Sequence, residues 1–169
     1  MSVIHLQWDG PFTLVEVQGM NDDHDYGVYQ VYGSHPVYGS DVVLYIGKAG
    51  QQTFSGRLQQ EQWHYNQDAG NIRYYVSRLA GEQTPKDAEW SHQIDLAEAL
   101  LIHSHWPAAN SQYIQTLRIH AAEIADLHVL NWGKRRSLLS EVSGLMLTDR
   151  YNDIPNYHCY GDEDNQLSV

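Results

Sequence analysis

Apolar and polar positions along the chain set out most of its elements before any chemistry is considered. Ile4-His5-Leu6-Gln7-Trp8 and Phe12-Thr13-Leu14-Val15-Glu16-Val17 read as two extended segments split by Asp9-Gly10-Pro11, a strand pair or hairpin at the start of the chain. Tyr26–Tyr32 and Val42–Ala49 read as two further strands, joined through Gly33–Asp41, whose Gly, Ser, Pro and Asp suit a hairpin loop. A third strand of this group is Asn71–Leu79, where Ile72, Tyr74 and Val76 alternate with Arg73, Tyr75 and Ser77. Thr53–Asn66 reads as a helix capped by Thr53 or Ser55. After the break at Gly81–Pro85, Thr84 can cap and Pro85 can open a helix over Lys86–Ser104. Its Trp90, Ile94, Ala97, Leu101 and Ile102 recur at helical spacing and face the sheet. Pro107 ends that helix.

The last third carries weaker patterns: a helix over Tyr113–Ala125, a short strand over Leu127–Trp132, a basic turn over Gly133–Arg136 and a short helix over Ser137–Met146. From Asp149 the chain turns polar, and the end after Gly161 is expected to be disordered. The expected fold is α/β (α+β): a small, mainly antiparallel three-stranded sheet flanked by helices, with extra N-terminal strands and a C-terminal helix and strand extension. Residues 1–26 would pack on a core at 27–112, with 113–160 extending the same domain and 161–169 forming an acidic tail.

The strands at 26–32 and 42–49 each set a tyrosine beside a glycine. Tyr29 and Tyr45 can share one face of the hairpin, and two phenols on an exposed sheet face point to chemistry or stacking more than to core. Gly27-Val28-Tyr29 followed by Tyr45-Ile46-Gly47 resembles the paired motif of the GIY-YIG nucleases. Arg57, early in the first helix, Glu98 in Ala97-Glu98-Ala99-Leu100-Leu101-Ile102 and Asn110 after Pro107 continue the likeness in order. Single triplets of this kind are common; the ordered set is far more specific and spans about half of the chain. The chain departs from the family at Glu61, where many relatives carry His or Tyr one turn after the arginine. His64, a further turn along, is the candidate to fill that role.

The resemblance implies a metal-dependent endonuclease that hydrolyses phosphodiester bonds in DNA and leaves a 5′-phosphate and a 3′-hydroxyl. It makes Tyr29 the general base for water, with Tyr45 orienting the water or bonding the phosphate. A phenol ordinarily titrates near pH 10, so positive charge from Lys48, Arg57 and a metal is expected to favour the phenolate. A guanidinium at Arg57 can clamp a phosphate through two hydrogen bonds. Glu98 interrupts an apolar run, and a carboxylate near a core face needs a cation or an ion pair such as Arg57. One Mg²⁺ or Mn²⁺ held by Glu98 meets that need, because such ions take oxygen ligands and often only one or two carboxylates. Asn110 is expected to brace Glu98, Tyr29 or the phosphate, or merely to cap the next segment.

Composition changes this picture in one respect. The net charge is -11, whereas a chain that grips a polyphosphate ordinarily shows a basic footprint. Positive charge gathers at Lys48, Arg57, Arg73 and Arg78 and again at Lys134-Arg135-Arg136, the last a candidate extension of a DNA-contact surface. Arg73 and Arg78 equally suit a solvated outer face. Weak, salt-sensitive binding is expected, or delivery of the nucleic acid by a protein partner. A binding module of the same fold without useful turnover is the rival reading, and RNA or branched DNA are rival substrates. The acidic Asn21–Asp25 lacks the glycine and glutamate spacing of a calcium loop and reads as a solvated turn. His103 and His105, two apart on a helix, point about 200° apart and read as helix-end polar residues. The single cysteine, Cys159, excludes an intrachain disulfide and a cysteine zinc cluster. No membrane-length apolar run and no leader pattern is apparent, which points to a cytoplasmic protein.

Overall fold

A computed structural model describes residues 2–60, 71–81, 87–117 and 121–147. Its centre is one mixed sheet of six strands: β1 (Ser2–Phe12), β2 (Gly27–His35), β3 (Gly39–Ala49), β4 (Arg73–Ala80), β5 (Leu127–Gly133) and β6 (Glu141–Ser143). They lie in the order β3-β2-β4-β1-β5-β6. All neighbours are antiparallel except β1 and β5, which run parallel from Ser2 beside Leu127 to Trp8 beside Gly133. The expected three-stranded sheet is therefore half of a larger one. β1 is no accessory to a separate core, because it fills the interior position between β4 and β5.

Among the described residues four helices accompany the sheet as α1 (Leu14–Val17), α2 (Phe54–Gln60), α3 (Asp87–His105) and α4 (Ala121–Ile124), with a 3₁₀ turn at Leu145–Leu147. The expected second N-terminal strand is replaced by α1. Thr13 and Glu16 form a capping box, each satisfying a backbone donor at the helix start, which outweighs the extended tendency of Val15 and Val17. Of the helix expected over 113–125, the described residues show only α4, and Tyr113 has a φ of 61°, which no right-handed helix accepts. The helix expected over 137–146 is absent; Glu141–Ser143 pairs with β5 instead. The hairpin is as expected but longer, with β2 and β3 running on to His35 and from Gly39. Glu61, His64, Thr84, Pro85 and the tail from 161 lie outside the described residues.

The two faces of the sheet have separate cores. On one, Ile4, Leu6, Trp8, Val28 and Ile46 meet Ile94, Leu101 and Ile102 of α3. On the other, Tyr29, Val31 and Val76 meet Val17 of α1 and Phe54 and Leu58 of α2. α3 is buried along most of its C-terminal half, from Leu96 to Ile102, so its burial exceeds that of an ordinary amphipathic surface helix. Among the described residues no helix is long and apolar enough to cross a membrane.

Candidate active site

β3 is the outer strand of the sheet, and beside its far edge lies a polar cleft of about 720 Å³. Tyr45 and Lys48 of β3, Arg57 of α2, Glu98 of α3 and Asn110 from the segment after α3 all line it. Alternation along β3 sends Ile46 and Lys48 toward α3, while Tyr45 and Gly47 face the side of α2. An edge strand lets both sets border one cleft.

Tyr29 stands opposite Gly47 and Tyr45 opposite Val31, so the two phenols are diagonal neighbours on one face. Their ring centroids are 6.1 Å apart and their planes 35° apart. The shared face is as expected, but its exposure is corrected: Tyr29 is 0 % exposed. α1 and α2 roof that part of the sheet, so only Tyr45, half-buried, lines the cleft. Gly47 is what lets the rings sit there. A β-carbon at that position would lie 2.5 Å from both the Tyr29 hydroxyl and Tyr45 Cε1.

Glu98 is only 7 % exposed. Its cation partner is Lys48, whose Nζ lies 3.2 Å from Glu98 Oε2 and 3.0 Å from Asp95 Oδ1. Burial pushes the Glu98 carboxyl above its ordinary value, against the pull of Lys48 and, after it, Arg57. Burial alone would lower Lys48, but Glu98 and Asp95 together hold it above its ordinary value. Asp95 is a cleft residue that sequence reasoning missed. The signal was present in Asp95-Leu96-Ala97-Glu98, since residues three apart share a helix face.

Asn110 braces neither Glu98 nor Tyr29. Its Oδ1 accepts from the Ile46 N–H at 2.9 Å and its Nδ2 donates to the Ile46 carbonyl at 2.8 Å. Ala109 donates its N–H to the Leu44 carbonyl at 2.7 Å. The segment thus closes part of the free edge of β3, and the Asn110 amide stands in for the backbone of a further strand.

The basic turn is not brought to the cleft. Lys134 pairs with Asp9 at 3.0 Å and Arg136 with Asp41 at 2.6 Å, while Arg135 donates to the Leu138 carbonyl. Arg136 also lies over the Tyr32 ring, 4.8 Å from its centroid. Arg73 donates to the Ile72 carbonyl at 2.8 Å. Arg78 is structural: it holds Asp25 through Nε at 3.1 Å and through Nη2.

In the acidic loop Asn21 to His24 are exposed, as a solvated turn requires, and that pair corrects the reading at Asp25 alone, which is buried. Ligand atoms of Asp22, His24 and Asp25 lie within 4.8 Å of one another, but Asp25 is already neutralised by Arg78. His103 and His105 diverge as expected, His103 to the Tyr113 carbonyl at 2.8 Å and His105 to the Leu101 carbonyl at 2.9 Å. His105 has a further role, since its Nε2 accepts the Leu139 N–H at 2.9 Å.

Comparison with protein-family models, with curated proteins and with solved structures finds no match to this chain. The cleft is therefore read from its own chemistry. Asp95 and Glu98 aim oxygens at a single ammonium, so they converge on one point where positive charge is held. A Mg²⁺-class ion fits such a donor set of hard carboxylate oxygens in a polar, open cleft, in competition with Lys48. Arg57 and Lys48 against Asp95 and Glu98 leave the four charged side chains balanced.

Proposed function

We propose that this chain is a metal-dependent endonuclease of the GIY-YIG type, hydrolysing phosphodiester bonds in DNA at the cleft beside β3. The observation that carries the reading is the convergence of Tyr45, Lys48, Arg57 and Glu98 from three separate elements. The sequence resemblance described above supports it.

Hydrolysis needs an activated water, neutralisation of the phosphoryl oxygens and help for the departing alkoxide. Water attacks phosphorus, the bond to the 3′-oxygen breaks, and the products are a 5′-phosphate and a 3′-hydroxyl. Arg57 offers a planar fork of donors to the non-bridging oxygens. Of the two paired phenols Tyr45 is the one that lines the cleft and meets the attacking water, while Tyr29, packed behind it, acts as a positioning residue. Lys48 leaves its carboxylates for the phosphate when substrate arrives. A divalent ion held by Glu98, with Asp95, supplies charge neutralisation at the phosphate when bound.

Plasmid nicking in Mn²⁺ tests this reading, with Glu98→Ala and Arg57→Ala as controls. Each substitution is expected to cost roughly a hundredfold or more in rate. Equal nicking by wild type and Glu98→Ala would trace the activity to a contaminant and end the reading. Two observations favour a second reading, a nucleic-acid-binding module without turnover: Lys48 is tied to two carboxylates, and the whole chain carries -11. Binding without any nicking across metals would select it.

A further inference from the structure

A second pocket, of about 450 Å³, adjoins the cleft and shares Gly50 and Gln51 with it. Its chemistry differs from that of the cleft. Tyr26 and Trp90 line it with aromatic surface, and Asp23, Gln51 and Ser91 add polar groups; among the described residues no lysine or arginine lines it. The indole N–H of Trp90 is buried and has no hydrogen-bond acceptor among the described residues. A buried donor left without an acceptor is costly, so native structures seldom keep one without a reason.

The Asp23 carboxylate, the one charged group among the described lining residues, repels a phosphate. A flat, uncharged ring with hydrogen-bonding edges suits the pocket, stacking on aromatic surface and exchanging bonds with Gln51, Ser91 and Asp23. The carboxylate, an acceptor only, favours a ring that presents N–H groups, as guanine does along its pairing edge.

We propose that this second pocket receives one unpaired nucleobase of the substrate strand, whose neighbouring phosphate occupies the cleft. The proposal rests on the nuclease reading and narrows it. A base inside an intact duplex cannot enter a side pocket without being unstacked and unpaired. The preferred substrate is then a single strand, or a single-stranded stretch beside a junction, and not an uninterrupted duplex.

Fluorescence anisotropy without divalent metal tests this on three fluorescein-labelled probes of equal length: a guanine-containing single strand, the same strand with abasic positions, and its blunt duplex. The intact single strand is expected to bind best. Trp90→Ala should weaken that probe roughly tenfold, in line with the loss of one base–aromatic stack, and leave the abasic strand unchanged. Trp90→Phe, which keeps a ring and removes the N–H, should fall between the two. Thermal unfolding of both variants separates lost binding from lost fold, and Trp132→Ala, at an exposed tryptophan outside the pocket, is the control. Equal affinity for single strand and duplex, or equal loss on the abasic strand, would overturn the base pocket while plasmid nicking still upholds the nuclease. Failure of wild type to bind any of the probes, joined to absence of nicking, would overturn both.

Discussion

At Gly47 the chain has no side chain because two phenols need the space. Gly47→Ala would drive a methyl group against the Tyr29 hydroxyl and the Tyr45 ring. Overpacking of this kind costs about 1–3 kcal/mol, so the variant should fold with lowered stability in urea titration and lose nicking out of proportion to that change. Lys48 makes a different prediction, since its ammonium and a divalent ion compete for the same oxygens of Asp95 and Glu98. Lys48→Met should bind Mn²⁺ more tightly than wild type, by electron paramagnetic resonance titration without DNA, and should still cleave more slowly. Unchanged Mn²⁺ affinity would remove the carboxylate pair from consideration as a metal site.

The elements that carry the cleft were legible because each holds a dense run of apolar and aromatic residues. The hairpin of Tyr29 and Tyr45, the strand at 73–80 and the helix bearing Glu98 are buried or half-buried along most of these runs, so apolar content marked them more than alternation did. What escaped was set by side-chain and backbone pairings that hydrophobic periodicity does not register. Thr13 and Glu16 turned a strand-like run into α1, and β5 drew Glu141–Ser143 out of a helical pattern. Nothing local marks Asn110 as an edge-closing side chain, because its partner Ile46 is 64 residues away. Asn110→Ala should cost about 1–3 kcal/mol for the unpaired Ile46 groups, measurable by urea denaturation. His105 tethers the end of α3 to Leu139 in its neutral form, since an imidazole Nε2 that accepts the Leu139 N–H cannot carry a proton. Burial lowers its pKa, partly offset by the bond to the Leu101 carbonyl. Its stabilising contribution is therefore complete above the ordinary histidine value of about 6.5 and is lost as pH falls through the lower folded value. Thermal melts from pH 8 to pH 5 should show wild type losing more stability than His105→Gln, which keeps an acceptor and a donor but cannot charge.

For the molecule as a whole, the sequence showed segregated charge but could not show that the basic turn is consumed internally. Asp9 and Asp41 neutralise Lys134 and Arg136, so these cations have little left for phosphate. Binding of a single-stranded oligonucleotide should fall with salt at a log–log slope no steeper than roughly -0.7 to -1.4, the release expected from one or two neutralised phosphates. Replacing Lys134, Arg135 and Arg136 together by alanine should leave that slope unchanged, and a clear flattening would restore them to the contact surface.

The interior place of β1 also bears on how the molecule is made. A nascent chain releases β1, β2, β3, β4 and α3 from the ribosome before β5 follows some twenty residues later. The cleft and its neighbouring pocket can thus assemble while one side of β1 still waits for its parallel partner. Over that interval the exposed backbone of β1 is an open template for a second emerging copy, and pairing of two such chains is the misassembly this topology invites.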